Sequence, residues 1–171
     1  MLQHTARYFA IFALTGAIAA TPSSPRTSFT IFTGVQMTLE VASSATHGRS
    51  AILKLQVRPG DGPAAHIHTR EDETYIVLRG HFRFWHGNRV VDATDGDAIY
   101  LPRNEPHQWR NVGNATGEEI LIVSPAGLEQ FFLTAAVRKL QMPRDLRAIQ
   151  QLQGKYGITR LKRSLIDGSR Q

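Results

Sequence analysis

The sequence predicts an all-β domain followed by a short helical appendage, and three observations carry that reading. From about Thr30 to Val123 the chain runs as short segments in which apolar and polar residues alternate with a period of two. Turn residues interrupt these segments at short, regular intervals, the pattern of a sandwich or barrel. A helical period appears only beyond Ser124-Pro125.

Taken in order, the chain opens with MLQHTAR and then YFAIFALTGAIAA, thirteen residues without a charge, followed by small residues and the Pro/Ser-rich TPSSPRTS. Residues 1–19 have the layout of a secretory signal peptide with cleavage near Ala19. The alternative is an N-terminal helix or strand packed on the domain. The apolar run is too short to span a bilayer, which takes about 20 residues. Residues 20–29 read as a linker and 30–126 as the β-domain. In AILKLQVR, Ala51, Leu53, Leu55 and Val57 share one parity while Lys54, Gln56 and Arg58 take the other. Phe82 and Phe84 alternate with Arg83, and His86-Gly87-Asn88 is a hairpin turn between FRFW and RVVD. Asp95-Gly96 turns the chain into DAIYL, and EEILIVS closes the series. Residues 127–171 form the appendage. Leu128, Phe131, Phe132 and Ala135 recur at helical spacing, with Ser124 as cap and Pro125 in the first turn. Pro143 starts a second helix with Leu146, Ile149, Leu152 and Tyr156 on one side, and Gly154 and Gly157 are stop signals. The last dozen residues read as a basic tail that packs weakly.

Composition narrows the chemistry. The 171 residues contain no cysteine, which excludes disulfides, thiolate zinc sites, Fe–S clusters and cysteine nucleophiles. A metal site must use His, Asp or Glu. The net charge of +6 would favour an anionic partner such as nucleic acid, but it is unevenly placed. Residues 31–126 carry 9 Lys+Arg against 11 Asp+Glu, whereas residues 127–171 carry 9 against 3. The basic excess belongs to the appendage, and no helix-turn-helix precedes the β-domain. No specific nucleic-acid partner and no stable membrane anchor is expected.

Three of the seven histidines stand out. His66 and His68 are one residue apart, so in a strand both imidazoles face the same way. Glu73 enters the strand TYIVL, and His107 opens HQWRN, a further strand that a hairpin-rich sheet can bring alongside the first. Three imidazoles and a carboxylate suit one divalent transition metal: Fe, Ni, Cu, Zn or Co, with Mn retained by the carboxylate. Such a set leaves one or two positions open on a five- or six-coordinate ion. His4, His47, His81 and His86 have no partners at ligand spacing and read as incidental. Arg70, Glu71 and Asp72 read as a solvated rim.

The turns around these residues carry a resemblance. Gly60, His66, His68, Glu73 and Gly80 are separated by five, one, four and six residues. Gly96, Pro102, Asn104, His107 and Asn111 follow in a second block, with Asn where glycine is usual. Asn tolerates the left-handed conformation that such a turn requires. The two blocks resemble the paired motifs of the cupin superfamily. PAAHIHTREDETYIVLRG, YLPRNEPHQWRN, SPAGLEQFF and KYGI resemble the small single-domain cupins grouped with quercetin dioxygenase-like proteins. The likeness runs from about Phe29 to Leu161.

That resemblance implies a jelly-roll barrel of six to eight strands with a metal bound by His66, His68, Glu73 and His107. It implies a dioxygenase acting on a small organic, phenolic or flavonol-like substrate, with Glu73 also accepting the substrate proton. Base work by a carboxylate needs a pKa raised toward neutrality, and ligation by a cation pushes the other way. The alternatives are a germin-like oxalate oxidase or decarboxylase and a cupin that binds a small molecule without turnover. Candidate pocket aromatics are Tyr75, Phe82, Phe84, Trp85, Tyr100 and Trp109, with Phe84 and Trp85 on opposite faces. Also expected are a homodimer built on a sheet edge and a secreted or periplasmic location, or a cytoplasmic one if residues 1–19 are retained.

Overall fold

The computed structural model describes residues 26–31 and 33–166. The signal-peptide reading of residues 1–19 lies outside them. Ten strands precede the appendage: β1 Thr27–Thr30, β2 Gln36–Val41, β3 Ala51–Val57, β4 His66–His68, β5 Asp72–Arg79, β6 Phe82–His86, β7 Arg89–Ala93, β8 Ala98–Leu101, β9 His107–Asn111 and β10 Gly117–Ser124. Helices α1 (Leu128–Val137) and α2 (Leu146–Lys155) follow, then strand β11 (Ile158–Arg160). The first strand thus begins inside the stretch expected as linker.

The strands form two sheets, in the orders β1-β2-β3-β10-β5-β8 and β11-β4-β9-β6-β7. Without β1, β2 and β11 this leaves two four-stranded sheets, the eight-stranded jelly roll that the motifs imply. The three extra strands extend its edges. The alternation in β3 has the expected consequence: Leu53, Leu55 and Val57 are fully buried, facing the other sheet. They meet Val77, Phe82, Phe84, Leu121 and Val123 in one core. Each such side chain contributes about 1.5–3 kcal/mol by leaving water.

The turns behave as their residues dictate. Gly87 takes φ +56° in the two-residue connection that pairs His86 with Arg89. Gly96 takes φ +91° after Asp95, and the Asp97 carboxylate accepts the Thr94 amide at 2.8 Å. Asn104 takes φ +66°, the left-handed conformation expected where glycine is usual. Its amide donates to the His68 carbonyl at 2.7 Å, which ties the turn before β9 to the end of β4.

The appendage departs from expectation in three ways. Ser124 ends β10 and does not cap α1; Gly127 holds that position, and its amide donates to Glu129 Oε2 at 2.7 Å. Gly154 lies within α2, and the chain turns at Gly157, with φ +77°. The basic tail does not hang loose over residues 160–166, and 167–171 lie outside the described residues. β11 pairs with β4, and the Gln108 side-chain oxygen accepts from Ser164 Oγ at 3.1 Å and the Leu165 amide at 3.0 Å. Periodicity alone cannot reveal a three-residue strand whose partner lies about ninety positions away.

Candidate metal centre

The two sheets supply the site from opposite sides. β4 holds His66 and His68 on its inward parity, and its antiparallel pairing with β9 sets His66 directly opposite His107. Glu73 comes from β5 in the other sheet, opposite Val123 and Leu101. One donor atom from each of these four residues falls within 4.8 Å of the others. His68, Glu73 and His107 are 3%, 2% and 1% exposed and His66 9%, so the cluster is shielded from bulk water with a single more open side.

Each imidazole is oriented by its outer nitrogen. His66 Nδ1 lies 2.8 Å from the Ala64 carbonyl, His107 Nδ1 3.1 Å from the Glu105 carbonyl, and His68 Nδ1 2.6 Å from Glu71 Oε1. These acceptors fix the proton on Nδ1 and leave each Nε2 lone pair free. The Nε2 atoms then converge, with 3.0 Å between His66 and His68. His107 Nε2 and Glu73 Oε2 lie 3.2 Å apart, two acceptors facing each other, and both are buried without a hydrogen-bond partner among the described residues. Buried donors and acceptors are rarely left so. Inward lone pairs, orphaned atoms and outer-nitrogen anchors are together what a bound cation requires, and the cluster could hold a divalent transition metal.

The electrostatics agree. Burial, reinforced by the charges of His107 and His68, lowers His66 to about 3, so this imidazole is neutral at pH 7. Burial opposes ionisation of Glu73 as well, but the neighbouring His68 and His107 outweigh it and hold the carboxyl at about 2. Burial likewise disfavours protonated His68, yet Glu73 and Glu71 outweigh it and raise its pKa. An ionised carboxylate and a neutral imidazole are the ligand forms that a divalent ion binds, and Glu73 and His66 already hold them. Tyr75 donates its hydroxyl to Glu73 Oε1 at 3.3 Å.

Glu71 is a correction. It is 3% exposed and bonded to His68, not part of a solvated rim. Its position three residues after a histidine was the available signal, masked by charged neighbours. Those neighbours do face solvent: Asp72 pairs with Arg103 at 2.9 Å, and Arg70 is exposed. Of the incidental histidines, His81 pairs with Asp92 at 3.2 Å, and His86 Nε2 lies 2.6 Å from Glu105, outside the quartet. His47 ends a short 3₁₀ turn, and His4 lies outside the described residues.

A cavity of about 280 Å³ opens over the cluster, with His66, His68 and Glu73 in its wall. Of the expected aromatics only Tyr75 and Trp109 line it. Phe82 and Phe84 are in the core, Trp85 faces the opposite side of its sheet, and Tyr100 is 57% exposed. The appendage supplies Phe131, Phe132, Ile149 and Ile158 instead. From sequence, Phe131, Phe132 and Ile149 read only as helix faces, and Ile158 only as part of the KYGI segment.

Residues 53–123 match the cupin domain family model. Over 105 residues, 61% of this chain and 31% of the relative, the sequence is 27% identical to quercetin 2,3-dioxygenase of Bacillus subtilis. Over 66 residues it is 29% identical to an uncharacterised protein of Methanocaldococcus jannaschii, covering 39% of this chain and 53% of that one. The chain therefore spans between a third and about half of the curated relatives it matches. Among solved structures, a predicted oxalate decarboxylase of Thermotoga maritima superposes with a TM-score of 0.53 at 23% identity, over 59% of this chain and 92% of that one. KdgF from a Halomonas species gives 0.54 at 17% identity, over 61% and 92%. At these identities the structural likeness is one of fold.

Proposed function

The chain is a cupin through its barrel, and from that premise we propose that it is a metal-dependent enzyme, a dioxygenase acting on a small organic molecule. The observation that carries the proposal is the convergence of three Nε2 atoms and one carboxylate, each imidazole anchored from behind, on the wall of an apolar cavity. A site that only captured a ligand would not need this donor set. His66, His68, Glu73 and His107 would hold one divalent transition metal, which supplies an electrophilic centre with open positions and, if redox-active, single-electron chemistry.

The remaining work falls to the chain. Phe131, Phe132 and Trp109 exclude water and give a planar or aliphatic substrate an apolar bed. Glu73, ionised and in the cavity wall, is the acceptor for a substrate proton, and its lowered pKa makes it a weak base for that role. The Tyr75 hydroxyl holds the Glu73 oxygen that it contacts, so the carboxylate keeps its direction while the proton arrives.

The test is oxygen uptake by protein carrying a measured metal complement, with flavonols, β-diketones and oxalate as substrates. Uptake with a flavonol or diketone supports the dioxygenase. Uptake or CO₂ release with oxalate alone favours the germin-like alternative. No turnover by metal-replete protein favours a non-catalytic binding cupin. His66→Ala and His107→Ala should each abolish metal retention, and stoichiometric metal in both would overturn the ligand assignment.

A further inference from the structure

Strand β11 lies against β4, and the register sets Arg160 directly opposite His66 and Ile158 opposite His68. Directly opposed residues of an antiparallel pair project to the same face. His66 and His68 face the cavity, so Ile158 and Arg160 face it too, and both line it. Ile158 is buried, while Arg160 sits at the exposed rim.

Arg160 is singular among the cavity's described residues. The imidazoles aside, it is the one basic side chain in the lining. Two other cations of the appendage are occupied elsewhere: Arg144 pairs with Asp145, and Lys155 lies over the Tyr156 ring. Arg160 has neither a carboxylate nor a hydrogen-bonded side-chain partner among the described residues. Away from it the cavity wall is largely apolar, with Met37, Leu55, Leu121 and Phe131 among its members. A guanidinium offers a planar fork of donors matched to a carboxylate.

We propose that Arg160 determines specificity by pairing with a carboxylate on the substrate, so that the cavity takes an acid with an apolar body. The inference rests on the reading of this cavity as the substrate site. The substrate spans the cavity with its hydrocarbon or aryl part among the apolar side chains and its carboxylate at the rim, on the guanidinium. The turn that delivers Arg160 is closely fitted: a Cβ on Gly157 would lie 2.6 Å from Thr69 Oγ1, and the Gly157 carbonyl accepts from the Thr69 amide at 3.0 Å. This fixes β11 on the ligand strand.

The test is calorimetric titration of the full chain with 3-phenylpropionate and its neutral isostere 3-phenylpropionamide, in zinc-loaded and in chelator-stripped protein. The expected result is a preference for the acid of roughly tenfold, about 1.4 kcal/mol, in both forms. Arg160→Gln should remove that preference and leave amide affinity unchanged, while Arg160→Lys keeps part of it. Equal affinity of the stripped wild type for acid and amide overturns the proposal, as does a preference that survives in Arg160→Gln or an acid that does not bind saturably. If the preference persists in Arg160→Gln but disappears on stripping, the metal was the anion's partner; Arg160 then fails while the metal-centre reading stands. Preference in stripped protein that Arg160→Gln abolishes supports Arg160 even if the oxygen-uptake experiment fails.

Discussion

Replacing Glu119 with methionine should stabilise the fold. Glu119 lies on the inward parity of β10, opposite Leu55 and Val77, and is fully buried. Neither carboxyl oxygen has a hydrogen-bond partner among the described residues. Burial, and then the charge of Glu73, raises its pKa well above the ordinary 4.5. Burial thus favours the protonated acid in the core, where it has no acceptor among the described residues. An unsatisfied buried polar group costs about 1–3 kcal/mol, and methionine has similar length without that penalty. Glu119→Met should therefore gain about 1–3 kcal/mol at pH 4, and more as pH rises through the range in which Glu119 titrates. The pH dependence has a definite sign. The folded pKa is raised, so the unfolded chain gives up this proton first as pH rises. Stability associated with Glu119 is full below pH 4.5 and declines above it, by about 1.4 kcal/mol per unit, until the folded pKa is reached. The variant should lack this decline. The assay is urea unfolding of metal-free wild type and variant between pH 4 and 8, followed by far-UV circular dichroism. A variant less stable than wild type by more than 1 kcal/mol, or two parallel pH profiles, would refute the reasoning and mean that Glu119 is paired or hydrated.

Three other expectations follow from the site and its surroundings. Glu71→Gln should weaken metal affinity by roughly 10–100-fold without unfolding the barrel, measured by competition with a chromogenic chelator; unchanged affinity would mean that the Nδ1 contact of His68 does not orient it. Tyr75→Phe should keep its metal and lower kcat by about tenfold with little change in KM, since a hydrogen bond to a charged group contributes roughly 1.5–3 kcal/mol. Arg103→Gln should return Asp72 from about 2 toward its ordinary 3.8, read by carboxyl NMR titration. Because the Arg103 hydrogen bonds depress this carboxyl, their contribution to stability is present above pH 3.8 and lost as pH falls toward 2, so the variant should show a weaker acid limb.

How much of this was legible in the sequence depends on the range of each interaction. The quartet was legible because strand parity places His66 and His68 together, and because the turn residues around both motifs set where β5 and β9 begin. Asn104 confirms the point: its left-handed conformation follows from residue type, and its amide ties the turn before β9 to His68. Glu71 was not legible. In sequence it is one charge among three, and its burial depends on where β4 ends and which way the next turn points. The cavity wall was hidden for another reason. Phe131, Phe132 and Arg160 reach the site only because the appendage folds back along β4, a contact that joins Thr69 to Gly157 across 88 positions. Aromatic residues within the barrel sequence were therefore over-counted as lining, and those of the appendage under-counted.

The anchors behind the three imidazoles differ in kind. His66 and His107 rest on carbonyl groups of the main chain, supplied by Ala64 and Glu105, and no side-chain replacement at those two positions deletes the acceptor. His68 rests on a carboxylate that a single codon change can remove, neutralise or shorten. Two ligands are thus held by parts of the protein that every sequence shares, and one by a part that heredity can vary. Descendants of this chain could retune the electron-donating strength of the site, and with it a bound ion's preference and potential, through residue 71 while the barrel and the ligand set stay as they are.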